Sequence, residues 1–171
     1  QVATEMKTKQ VGSALKHFPG YGNNGDTHTD IITDSRSIDE FKSSDFLPFK
    51  AGIAAGADIV LVSHNIVTAF DSEHPASLSP EVHDVLRNDL GFNGVIMTDD
   101  LSMEAIKQYT GDSEAAVTAV KAGNDLICCT DYETQINAVM DAVSSGEIPA
   151  EQINLSAKRI LQMKINLGLI Q

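Results

Sequence analysis

Four short apolar runs recur along the chain, each followed by a stretch of helical periodicity, and this alternation limits the fold more than any other feature. The runs are Val11 to Phe18, Ile59-Val60-Leu61-Val62, Gly94-Val95-Ile96-Met97-Thr98 and Asp125-Leu126-Ile127-Cys128-Cys129. None alternates polar with apolar residues, as a strand with one wet face does, so they read as parallel strands covered on both sides by helices. The intervening helices are expected over Ile38 to Ala55, Pro80 to Leu90, Ser113 to Ala122, Tyr132 to Ser144 and Glu151 to Leu167. Pro48 interrupts the first and marks a helix start or a kink, and Ser79 followed by Pro80 is an N-cap with proline in the first turn.

Two architectures satisfy this pattern, an open doubly wound sheet or part of a (β/α)8 barrel. A dinucleotide-binding loop needs glycines between a strand and the start of a helix, and Gly20-Tyr21-Gly22-Asn23-Asn24-Gly25 opens no helix. A barrel instead gathers polar residues from the carboxyl ends of its strands at one mouth. The ends here read Lys16-His17, Ser63-His64-Asn65, Thr98-Asp99-Asp100 and Thr130-Asp131, rich in titratable groups as a catalytic mouth requires.

Charge and composition remove several functions. Twelve basic and 24 acidic residues give a net charge of -12, which repels nucleic acid and anionic membrane. No run approaches the roughly 20 apolar residues of a membrane span, and Gln1 to Gln10 is polar. The adjacent Cys128 and Cys129 sit in an apolar run and read as packing residues. Asp26, His28 and Asp30 alternate as carboxylate, imidazole and carboxylate, but the ligand spacing of a built metal site is missing, so no metal is expected.

Lys16-His17-Phe18-Pro19-Gly20-Tyr21-Gly22, Asp26-Thr27-His28, Leu61-Val62-Ser63-His64 and Gly94 through Met103, taken in this order, resemble the barrel of glycoside hydrolase family 3, above all its bacterial β-N-acetylglucosaminidase branch. The resemblance covers Val11 to Leu167. A complete barrel takes about 250 residues, so residues 1–171 are expected to form a single partial domain. It would be an α/β TIM-barrel fragment of about four βα units plus closing helices, the second half of the family's barrel. The first half, with further sugar-binding side chains, would lie upstream, and pairing with that half or self-association would close the open sheet edges.

Glycoside hydrolysis needs one group to capture the developing oxocarbenium carbon and another to protonate the leaving oxygen. The resemblance assigns the nucleophile to Asp99, and assigns the acid/base to His28, oriented by Asp26. A histidine suits that duty because its ordinary pKa of roughly 6.5 lets it give and retake a proton near neutrality. The alternative for Asp99 is a cap on the next helix, and read without the resemblance Asp26 and His28 form a solvated turn with Asn23, Asn24 and Gly25. Asp100 is expected to cap. The resemblance assigns sugar binding to Lys16 and His17, and His64 is either a polar neighbour of the nucleophile or a satisfied core histidine. His74 and His83 are expected at the surface. In two places the chain departs from the family pattern: Tyr21 replaces a usual histidine, and the loop from Gly22 to Asp26 is about one residue short.

These assignments imply a retaining, exo-acting hydrolase that releases terminal β-linked N-acetylglucosamine without a cofactor, with muropeptides from peptidoglycan as substrate. Alternatives are a β-glucosidase or glycoside phosphorylase of the same family, or a non-catalytic half-barrel. Relatives occur inside and outside the bacterial membrane, and the cell envelope is the expected compartment.

Overall fold

The computed structural model describes residues 1–23, 31–110 and 115–171, and of residues 104, 105 and 108 the backbone alone. Helix α1 (Val2–Thr8) leads into strand β1 (Ala14–Phe18), and a two-residue strand β2 (Thr33–Asp34) precedes helices α2 (Ile38–Ser43) and α3 (Phe46–Ala54). Next come β3 (Ile59–Val62), a second two-residue strand β4 (Ile66–Val67), a 3-10 turn at Ala76–Leu78 and helix α4 (Pro80–Asp84), which runs on as a π-helical turn over Val85–Asp89. Strand β5 (Val95–Thr98), α5 (Glu104–Thr110), α6 (Ala115–Ala122), α7 (Tyr132–Ser145) and α8 (Ala150–Asn166) complete the order.

Strands β1, β3 and β5 form a parallel sheet in that order, so each new strand adds to the same edge. A doubly wound sheet reverses direction at its switch point, whereas a barrel keeps adding on one side. The short pair β2 and β4 is also parallel.

Local sequence accounts for the helix boundaries. Ser37 accepts from the Glu40 amide while the Glu40 carboxylate takes the Ser37 N–H, a capping box that starts α2. Ser79 accepts from Val82 N–H, with Pro80 in the first turn of α4. Pro48 falls within the first turn of α3, where a missing N–H costs nothing, and the expected Ile38 to Ala55 segment divides two residues before α3 begins. Gly146, left-handed at φ +83°, ends α7.

Five of the six phenylalanines pack as one aromatic cluster on the sheet. Phe18 lies 5.7 Å from Phe46 and 5.1 Å from Phe49, and Phe70 lies 5.3 Å from Phe41. Val60, Val62, Leu86 and Ile96 join this core. Burying Phe18 completely fixes the carboxyl end of β1 on the layer that also carries β3, so packing holds the strand end that bears Lys16 and His17.

Four expectations need correction. The fourth apolar run is not a strand: beyond one parallel bridge between Met97 and Leu126, the Cys128 N–H turns to Thr98 Oγ1 instead of a backbone carbonyl, and the ladder stops. The sheet is less evenly covered than the sequence suggests, because Ile59, Leu61 and Met97 keep partial exposure while Val60 and Val62 are sealed. His83 is buried, not at the surface, with Nδ1 held 2.8 Å from the Ser79 carbonyl one turn earlier in α4. Cys128 is exposed, not packed, as the ladder's early end leaves it at the edge of the run.

Candidate active site

The end of β1 is irregular where the chemistry was expected. Leu15 pairs with Val60 and Phe18 with Val62, so β1 spends three steps where β3 spends two, and the extra residue falls at Lys16-His17. The Lys16–His17 and Phe18–Pro19 peptide bonds are both cis. A bulge re-aims side chains out of the regular alternation. Here Leu15 and Phe18 pack toward the helices while His17 turns to the next strand but one.

There His17 meets Asp99. Nε2 of His17 lies 3.7 Å from Oδ2 of Asp99, and both side chains remain partly open, at 29% and 22% of full exposure. Tyr21 sets its ring edge-on to His17 at 5.4 Å. Asp99 itself is fixed from two sides, its N–H donating to the Val62 carbonyl at 3.0 Å and its Oδ1 accepting from Asp100 N–H at 2.9 Å. One carboxylate oxygen is therefore held by backbone while the other faces the imidazole and solvent. Lys16 is exposed at the same strand end.

The following carboxylate has a different duty. Asp100 Oδ1 accepts from Ser102 N–H at 2.9 Å and from Ser102 Oγ at 2.7 Å, closing the turn ahead of α5. The turn holds the Asp100 carboxylate on Ser102 and leaves Asp99 facing His17.

His64 lies one layer below, fully buried, with Nδ1 2.7 Å from Ser77 Oγ and Nε2 3.0 Å from the Asp100 carbonyl. Burial, the largest influence, pushes its pKa below 6.5, against the opposing pull of Asp99 and Asp100. It is closed to any ligand in this arrangement. The neighbouring Ser63 donates its N–H to the Phe18 carbonyl at 2.9 Å, which ties the β1 and β3 ends together. Cys128 faces the same carboxylates, and burial followed by Asp100 and Asp99 pushes its thiol pKa up.

Beneath the Gly20-Tyr21-Gly22 loop sits a cluster that the sequence reading missed. Arg36 takes Asp34 through Nε and Nη2 at 2.8 to 3.1 Å and Asp45 through Nη1 at 2.8 Å, and its guanidinium covers the Phe41 ring at 4.3 Å. These paired carboxylates hold the guanidinium pKa above its ordinary value. Gly20, at φ +126°, lies against Asp45, and Gly22, at φ +56°, lies against Arg36. The Gly-rich signal was visible, but the side chains that require it come from 14 to 25 residues later. Asp26 and His28 lie outside the described residues.

A cleft of about 760 Å³ opens at the other end of the sheet, among Gly56, Asp58, Gly94, Lys158 and Arg159. Parallel barrels place their chemistry at the carboxyl ends of the strands, so Asp99 and not this cleft marks the candidate site.

Comparison with known proteins identifies the family and the fold. The profile of the Glycosyl hydrolase family 3 N terminal domain matches residues 1–163. A β-hexosaminidase of Stenotrophomonas maltophilia (strain K279a) is 41% identical over 124 residues, covering 71% of this chain and 37% of that protein. An uncharacterized secreted glycosyl hydrolase of Arthroderma benhamiae is 32% identical over 176 residues, covering 97% of this chain and 50% of its own length. The chain thus spans half or less of these curated relatives. Among solved structures, a family 3 β-N-acetylglucosaminidase from Paenibacillus sp. str. FPU-7 superposes with a TM-score of 0.90 at 36% identity, over 95% of this chain and 32% of that one. The β-glucoside phosphorylase BglX superposes at 0.86 with 29% identity, over 93% of this chain and 31% of that one.

Proposed function

The chain belongs to glycosyl hydrolase family 3, with the α/β fold of a TIM-barrel segment, and from that premise we propose that it carries the nucleophile side of a retaining β-N-acetylglucosaminidase. The observation that carries the reading is Asp99, held through Oδ1 by its own turn and presenting Oδ2 to His17 and to solvent at the strand mouth.

In this reading Asp99 Oδ2 attacks the anomeric carbon as the bond to the leaving oxygen breaks, giving a glycosyl-enzyme ester. His28, oriented by Asp26, gives its proton to that oxygen and then takes one from the water that cleaves the ester. The roles of Asp26 and His28 rest on the Asp-x-His motif. His17 and Lys16 supply N–H donors for sugar hydroxyls, and His17 also steadies the Asp99 carboxylate before attack. Terminal N-acetylglucosamine is the proposed sugar, from the names of the relatives, and cell-wall muropeptides are the proposed source. The cell envelope, where such fragments arise, is the proposed compartment.

A phosphorylase is the second reading, favoured by the likeness to BglX. Phosphate would then replace water in the second step.

The test is release of aryl alcohol from an aryl β-N-acetylglucosaminide by the polypeptide carrying this chain, with mass analysis of the protein after a 2-fluoro glycosyl fluoride. Trapping on the peptide containing Asp99, and loss of turnover in Asp99→Asn, are expected. A label on another residue would sink the assignment. Phosphate-dependent product formation would decide for the phosphorylase.

A further inference from the structure

A buried line of hydrogen bonds runs beneath the Asp99-Asp100 turn. Asn124 Nδ2 donates to the Ser77 carbonyl at 2.8 Å, Ser77 N–H donates to the Ser63 carbonyl at 2.9 Å, Ser77 Oγ meets His64 Nδ1, and His64 Nε2 meets the Asp100 carbonyl. Asn124, Ser77 and His64 all have 1% exposure or less. A carbonyl oxygen only accepts, so the 3.0 Å contact puts a proton on Nε2. Desolvation keeps the buried ring neutral although Asp99 and Asp100 favour its charged form, and His17, on the same side, disfavours it. Nδ1 is then an acceptor, and the Ser77 hydroxyl is its donor.

The Asp100 carbonyl that His64 holds belongs to the residue whose N–H grips Asp99 Oδ1. The same carbonyl accepts from Met103 N–H at 3.1 Å, and Leu101 N–H is anchored on the Cys128 carbonyl at 2.9 Å. Both peptide units of Asp100 are therefore fixed, one by His64 and Met103 and the other through Asp99. The Met103 bond closes within the turn and moves with it, so His64 is the side chain that ties this carbonyl to the core, and without it the turn would be freer to rotate and carry the Oδ1 grip with it.

We propose that His64, set in its Nε2–H tautomer by Ser77, is a positioning residue that presents Asp99 by pinning the Asp100 carbonyl. This rests on reading Asp99 as the nucleophile. His64 touches no substrate, and its effect passes through the orientation of one carboxylate. Misplacing a reacting group by about 1 Å costs on the order of 100-fold in rate.

Three measurements test it. Imidazole ¹⁵N spectra of the unaltered chain should show His64 neutral and protonated on Nε2 at pH 7; an Nδ1–H or doubly protonated ring would overturn the proposal without any variant. In His64→Phe, which keeps volume but donates nothing, kcat should fall about 100-fold with KM little changed. His64→Gln, whose amide nitrogen reaches toward the same carbonyl, should recover much of it. A rise in KM alone, or a kcat equal to that of the unaltered protein, would overturn positioning. If the unaltered protein turns nothing over, the glycosidase reading fails separately, and the Asp100 amide proton resonance decides for His64. It should move in His64→Phe and return in His64→Gln, whereas an unmoved resonance would sink the pinning.

Discussion

Nε2 of His17 and Oδ2 of Asp99 face each other across 3.7 Å, joining the ends of two strands that do not pair directly, because β3 lies between them. At 3.7 Å the two groups sit beyond hydrogen-bond distance, and a charged hydrogen bond worth about 1.5 to 3 kcal/mol forms if the pair tightens in the reacting complex. His17→Ala should lower kcat/KM by about 10- to 100-fold, with unfolding in urea little changed because the ring is partly exposed. Steady-state kinetics beside a urea melt check both halves.

Gly20 cannot carry a side chain. Its φ of +126° is disfavoured for any L-residue, and an added Cβ would fall 2.1 Å from Asp45 Oδ1, a carboxylate held in place by Arg36. Gly20→Ala should destabilise the fold by roughly 2 to 3 kcal/mol. Equilibrium urea unfolding measures it, and a loss below 0.5 kcal/mol, taken as about the scale of a surface change, would show that the loop does not rest on the Arg36 cluster.

Asp125 should be among the costliest polar residues to remove. Its carboxylate is sealed and accepts from Arg87 at 2.5 Å, Arg159 and Ser156 at 2.9 Å, and the Ile96 N–H at 2.9 Å, so it ties α8 to β5. Breaking a buried pair leaves the partner charge uncompensated, and Asp125→Ala should cost about 3 to 5 kcal/mol. Denaturant melts of this variant beside Glu147→Ala, which loses only an exposed pair with Lys121, separate buried from surface charge.

Acid should weaken the fold well above the range of its carboxylates. Burial holds both His64 and His83 below the ordinary value of 6.5. Below that pH the unfolded chain binds protons that the folded chain refuses, so stability falls with falling pH. The loss continues until each folded-state value is reached, at up to about 1.4 kcal/mol per pH unit for each histidine. Asp45 and Asp71, shifted below 3.8, contribute only in stronger acid. Melting temperatures at pH 7.5, 6.5 and 5.5 should decline over the lower interval, and His83→Phe should flatten that decline if the variant folds.

The strand ends and the helix starts were legible because each depends on a few neighbouring residues. Ser79 with Pro80 announces a helix through a bond that closes within four residues, and the Ser37–Glu40 box, passed over in the sequence, closes over the same span. The division of the Ile38 to Ala55 segment and the failure of the fourth strand were not legible. The latter turns on Thr98 Oγ1 capturing the Cys128 N–H, a competition between side chain and backbone that apolar periodicity cannot register. His83 was misplaced for a related reason: a polar side chain in a helix is a surface residue unless another layer covers it, and α6 packs against α4.

By itself, the sequence determined the parallel α/β order, the family and the set of residues that carry its motifs, since all three depend on periodicity and on strings of adjacent residues. Tertiary structure decided which members of that set work together. The bulge at Lys16-His17 turned one imidazole toward Asp99, the turn at Ser102 drew Asp100 away, and burial against Ser77 sealed His64 from solvent. The first and last of these rest on distances between residues 13 to 82 positions apart in the chain, fixed only when the core closes, whereas the Asp100–Ser102 turn closes within two residues.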